Sequence, residues 1–149
     1  MLKLLQYLIS LNSALLAKAR SARLYDEALG FYRAKDYRKA FPLMKQAAEL
    51  GSLQAMSILG SMYLLGRGVP ENGGQAVQWL KQAVDGGFEG AISVLGMAYA
   101  TGSAGIPMDI PLAREMLTQA AEKGDQQSAR MLEMMDKGEG MFRNLKKAK

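Results

Sequence analysis

Six carboxylates, Glu71, Asp85, Glu89, Asp109, Glu115 and Glu122, are the residues whose type could serve acid–base chemistry or hold a cation. Such work needs either two carboxyls held together or one placed in an apolar setting that raises its pKa. Each of the six falls in a turn-rich segment or on the polar stripe of a helical pattern, where solvent exposure is the default. No catalytic group is assigned. The chain has no histidine and no cysteine, which removes imidazole bases, thiolate nucleophiles, disulfides and the commonest zinc ligands. Eleven methionines, with Met131, Met134 and Met135 close together, offer only thioethers. Those would select copper(I), but no nitrogen or thiolate companion stands beside them, so core filling is their expected role. Gly66-Arg67-Gly68-Val69 has the glycines of a phosphate loop and lacks the preceding strand and the Gly-Lys-Ser/Thr ending. The expectation is a chain without enzymatic activity, metal or cofactor.

What must position any binding residues is a tandem repeat. Ala-Met-Ser-Ile-Leu-Gly-Ser-Met-Tyr at 55–63 returns as Ala-Ile-Ser-Val-Leu-Gly-Met-Ala-Tyr at 91–99, so Leu59, Gly60 and Tyr63 recur as Leu95, Gly96 and Tyr99. Spacing of this order marks a solenoid, whose units bury their apolar face only by stacking on neighbours. A second pattern alternates with the first: Ala40, Leu43, Met44, Ala47, then Ala76, Trp79, Leu80, Ala83, then Ala113, Met116, Leu117, Ala120. Each set is i, i+3, i+4, i+7, one face of a helix. Gly51, Gly87 and Gly124 end the second helix of each unit, and Ser52 and Asp125 stand where a side-chain oxygen would cap the next. Trp79 shares its slot with Leu43 and Met116 and is read as core.

The spacing predicts a leader helix over 2–20, then helix pairs at 22–34 and 37–50, 53–65 and 74–86, and 89–101 and 110–123, with a closing helix at 126–137. Pro42 lies in the second helix of the first pair, 37–50, and is expected to kink that helix or move its start. Domain limits follow: a capping helix at 1–21, repeats at 22–51, 52–87 and 88–124, and a cap with a basic tail at 125–149. In the leader, Lys3, Gln6, Ser10, Ser13 and Ala17 make one stripe and Leu4, Leu8, Leu11 and Leu15 another. That two-sided pattern favours an amphipathic cap and a cytoplasmic protein. An export signal over 1–19, ending in Ala17-Lys18-Ala19, and a periplasmic protein are the alternative.

The residues Ala-x3-Leu-Gly-x2-Tyr-x2-Gly-x-Gly-Val, then Ala-x2-Trp-x3-Ala and a closing Gly-Gly-x3-Ala, resemble the Sel-one-like repeat, a relative of the tetratricopeptide repeat. Unit two carries them from Ala55 to Ala91, unit three has Met116 in place of tryptophan, and unit one reads partly as a tetratricopeptide unit. The resemblance implies an all-α, right-handed superhelix of about three helix pairs. It implies a non-enzymatic protein-interaction module that takes a segment of a partner protein on its concave face. Many bacterial members of the family work in the envelope. Some bacterial relatives neutralise secreted toxins, so an immunity or inhibitor protein is the sharper alternative. The family's cysteine-rich subgroup is excluded as a guide because every such cysteine is missing.

By the same resemblance the first helices of each unit line the groove with their non-motif positions: Ser57, Ser61, Met62 and Leu65, then Ser93, Met97, Ala98 and Thr101, flanked by Arg130. Small, apolar and weakly hydroxylated, this stripe suits an inserted peptide, helix or loop. The net charge of +5 concentrates at the ends, as Lys18, Arg20 and Arg23 and as Arg143, Lys146, Lys147 and Lys149. Solvation is the ordinary role of such residues, and an anionic-surface or nucleic-acid binder is the alternative that they raise. A membrane surface and a homodimer through the exposed solenoid ends are further partners the sequence leaves open.

Overall fold

The structure, a computed structural model, describes residues 1–138. Seven α-helices and no strand occur among them: α1 Leu2–Arg33, α2 Tyr37–Glu49, α3 Leu53–Leu65, α4 Gly73–Asp85, α5 Gly90–Thr101, α6 Ile110–Glu122 and α7 Gln126–Lys137, with one 3-10 turn at Ser103–Gly105. Each odd-numbered helix pairs with the even one after it, α3 also touches α5, and α5 touches α7. Two rows result, α1, α3, α5 and α7 in one and α2, α4 and α6 in the other. Fully buried Met44, Leu59, Leu80, Leu95 and Leu117 fill the space between rows, with alanines such as Ala40, Ala55, Ala76 and Ala91 at no exposure where backbones cross. Burial of each such leucine contributes about 1.5–3 kcal/mol, and the alanines permit the close approach that interior density requires.

The glycine of each Leu-Gly pair marks that approach. A Cβ on Gly60 would lie 2.6 Å from Leu80 Cγ, and one on Gly96 would lie 3.0 Å from Leu117 Cγ. Helix ends agree with the sequence reading. Ser52 Oγ accepts from Ala55 N–H at 3.2 Å and Asp125 caps α7 by accepting from Gln127 N–H at 3.0 Å. Asp36, Asn72 and Asp109 cap α2, α4 and α6 in the same way. After α2, α4 and α6 the same pair of bonds recurs, with Ser52, Phe88 and Asp125 N–H donating to Ala47, Ala83 and Ala120 carbonyls and Gly51, Gly87 and Gly124 N–H donating to Ala48, Val84 and Ala121 carbonyls. These are Schellman closures, built around Gly51, Gly87 and Gly124. Trp79 packs against the core, with Nε1 buried and without a partner.

Two expectations are corrected. The leader and the first helix of unit one are a single helix, α1, because nothing between Leu2 and Leu29 is a glycine or proline that would stop it. Its residues up to Leu16 are exposed and cap nothing; burial begins only with Ala17, Ser21, Leu24 and Ala28. Pro42 does not move the start of α2, which begins at Tyr37 behind its Asp36 cap and runs to Glu49. The N–H that Pro42 lacks would have served the Arg38 carbonyl one turn back, and both residues are exposed, so water can serve that carbonyl instead. The basic tail beyond Gly138, with Arg143, Lys146, Lys147 and Lys149, lies outside the described residues.

Candidate functional site

The first row presents one open stripe, on the side turned away from α2, α4 and α6. On α3 it consists of Gln54, Ile58, Ser61 and Leu65, all exposed or half-buried; on α5 it consists of Gly90, Val94, Met97 and Thr101. The two sets occupy matching positions, at i, i+4, i+7 and i+11, one line along a helix. On α7 the line continues as Gln127, Met131 and Met134, the last 66% exposed. Leu65 at 54% exposure is the other large apolar residue standing in water there.

Of the residues assigned to the groove from sequence, Ser61, Leu65, Met97, Thr101 and Arg130 lie on accessible surface. Ser57, Met62, Ser93 and Ala98 do not. Met62 has no exposure and Ala98 2%, and both belong to the core; Ser57 and Ser93 are buried. The physical reason is that α3 and α5 are flanked by helices of both rows, so a non-motif position can face a neighbouring unit as readily as the open side. Sequence reasoning missed Gln54, Ile58, Val94, Met131 and Met134. Their signal was available in the recurrence of 54, 58, 61 and 65 as 90, 94, 97 and 101.

The hydroxyls are already engaged. Ser61 Oγ donates to Ser57 O at 3.1 Å, and Thr101 Oγ1 donates to Met97 O at 2.9 Å. Bound back to their own helices, they present the stripe as less polar than their type implies. Ser93 Oγ likewise donates to Gly90 O at 3.0 Å.

The six candidate carboxylates are all exposed and scattered. Asp109 Oδ1 accepts from Leu112 N–H at 3.0 Å as a cap, and Glu89, in the turn between α4 and α5, pairs with Lys123 at the end of α6. Two carboxyls with pKa below the ordinary value, Asp36 and Asp125, are also caps. The Lys39 ammonium beside Asp36 holds it down. Partial burial pushes Asp125 up, but hydrogen bonds led by that from the Ser128 hydroxyl outweigh it. Among the described residues no group of three acidic, histidine or cysteine side chains is placed to hold a metal. The loop Gly66-Arg67-Gly68-Val69 faces the start of α2, lining a surface cavity with Lys35, Asp36, Tyr37 and Arg38. Arg67 Nη1 donates to the Tyr32 hydroxyl at 2.6 Å, and its guanidinium lies over the rings of Tyr32 and Tyr37 at 5.7 and 5.1 Å. That ties unit two to unit one.

Stacked helix pairs with an open stripe of mainly apolar side chains define a helical-repeat scaffold. The family model described as Sel1 repeat matches residues 16–52, 53–88, 91–125 and 129–149, and the chain belongs to that family. The first match takes in the whole buried half of α1, and the fourth starts within α7. Sel1 repeats are a non-catalytic scaffold fold that generally mediates protein–protein interaction. Among solved structures the chain is similar to a protective antigen of uropathogenic Escherichia coli with an SLR fold, at 30% identity and TM-score 0.69 over 79% of this chain and 26% of that one. It is similar to a Sel1 repeat protein from Oxalobacter formigenes at 28% identity and TM-score 0.62, over 72% of this chain and 45% of that one. Cysteine-rich protein B of Helicobacter pylori, at 20% identity and TM-score 0.59 over 82% and 94%, shares the fold. The chain thus spans less than half of the first two. No curated protein matches the sequence.

Proposed function

We propose that the protein is an adaptor that binds a segment of a partner protein along the open stripe of α3, α5 and α7. The observation carrying this reading is the repetition of one exposed, mainly apolar line on successive helices, Ile58, Ser61 and Leu65 beside Val94, Met97 and Thr101. A partner segment gains buried area there without satisfying new polar groups, because the hydroxyls are bound to their own backbone. Methionines at 97, 131 and 134 fit themselves to an irregular partner surface. A rigid scaffold loses little conformational entropy on binding.

The test places a photo-cross-linking residue at Ser61 or Met97 on the stripe, and at Gln119 on α6 as a control. One protein is expected to cross-link from 61 and 97, to be absent from 119, and to be lost with Met97→Asp while the helical signal is unchanged. Equal capture from 119, or capture that survives Met97→Asp, would overturn the reading. Capture that collapses steeply with salt would place binding at the basic ends instead. If the captured partner is an enzyme silenced on binding, the adaptor is an inhibitor.

A further inference from the structure

The first half of α1 presents two sides that differ in kind. Lys3, Gln6, Ser10 and Ser13 continue the stripe that, further along the same helix, becomes Ala17, Ser21, Leu24 and Ala28 and packs on the body, with Ser21 Oγ donating to Ala47 O at 2.9 Å. The body-facing line therefore turns polar where the body ends. The large side chains rotate to the remaining arc: Leu4, Leu5, Leu8, Leu11, Leu15 and Leu16 are each 51–65% exposed. A continuous apolar surface of this kind on a helix marks an interaction site.

We propose that residues 2–23 lie along the surface of an anionic lipid bilayer, with the leucines in the acyl boundary and the cations against the headgroups. Charge selects this occupant. Residues 1–25 hold Lys3, Lys18, Arg20 and Arg23 and no acid. Pairing this helix with its copy in a second chain, parallel or antiparallel, sets cation near cation with no carboxylate to offset it, whereas anionic lipid neutralises all four. Length selects the orientation. The apolar stretch from Leu2 to Leu16 is about 22 Å long at 1.5 Å per residue, short of the ~30 Å hydrocarbon core, and no helix among the described residues is long and apolar enough to cross a membrane. A helix with an apolar arc and flanking cations lies in the interface.

The full chain is mixed with vesicles of phosphatidylcholine containing phosphatidylglycerol and with vesicles of phosphatidylcholine alone, then sedimented. Binding is expected on the anionic vesicles, weakened by salt, by Lys18→Gln/Arg20→Gln, and at least about tenfold by Leu8→Glu/Leu15→Glu. These leucines touch nothing in the body, so helical content and thermal midpoint should be unchanged. Equal binding by the leucine variant overturns the proposal. So does a lipid-free dimer in sedimentation velocity that the same variant dissolves. An intact mass showing that the protein isolated from its own cells lacks residues 1–19 also overturns it, because the segment would then be a leader that is removed.

Discussion

Two junctions in this molecule solve one packing problem with opposite choices. Each loop between the paired helices of a unit docks on the first residue of the second helix in the unit before it. At the first junction that residue is Tyr37, and the loop presents Gly68, whose Cβ would lie 2.2 Å from Tyr37 O. At the second junction the matching helix residue is Gly73, and the loop presents Ala104 at φ 54; a Cβ on Gly73 would lie 2.6 Å from Ala104 O. Helix and loop backbones come so close that one member of each pair must lack a side chain. In each pair the atom met is a backbone carbonyl oxygen, which no substitution of the other member removes, and the two units place their glycine on opposite members. The repeat thus keeps the close approach while changing which member of the pair it constrains.

Breaking the first junction should have the largest effect. Gly68→Ala puts a methyl into the Tyr37 carbonyl at a residue with φ 75, so overpacking adds to left-handed strain and stability should fall by about 3 kcal/mol. Denaturant titration measures it. Gly73→Ala should cost about 2 kcal/mol, since the methyl meets the Ala104 carbonyl and buried Ile106 but the residue carries no left-handed strain. The comparison sharpens in a double-mutant cycle. Ala104→Gly alone should stabilise by about 1 kcal/mol by relieving positive φ, and it should add to Gly73→Ala without coupling, because the carbonyl that the new methyl meets is still there. A coupling well above about 0.5 kcal/mol would show that the loop backbone, freed by glycine, shifts to admit the methyl. The smallest effect concerns the clamp. Arg67→Ala removes its stacking on two tyrosines and the bond to Tyr32, for about 1 kcal/mol, while its counterpart Ser103→Ala should stay within about 0.5 kcal/mol.

Most of the fold was legible because its signals are local. A cap such as Ser52 or Asp125 and a closure such as Gly51 need only a few neighbouring residues, and the alternating Ala and Leu positions declare their faces by spacing. The length of α1 was not read correctly because a repeat boundary was taken for a helix boundary, and residues 20–22, Arg-Ser-Ala, contain nothing that stops a helix. The open stripe was half legible. Motif residues identify what packs within a unit, but Ser57 and Met62 turn toward neighbouring helices, which the pattern of one unit does not record. The junction pairs were hidden for a related reason: Tyr37 and Gly68 are conspicuous only when set beside Gly73 and Ala104, and that correspondence requires knowing that the loop reaches backward.

That backward reach gives the stack a direction. In a linear array, stability is the sum of what each unit holds by itself and what it shares with its neighbour. Here part of what is shared is the loop of the later unit, which covers the start of a helix in the earlier one. Opening of the loop at 66–72 removes that contact from both units at once, and loosening of α2, on which α1 packs, opens it from the other side. The latch has a direction along the chain in its structure and none in its energy, so loss of order in either unit weakens its neighbour.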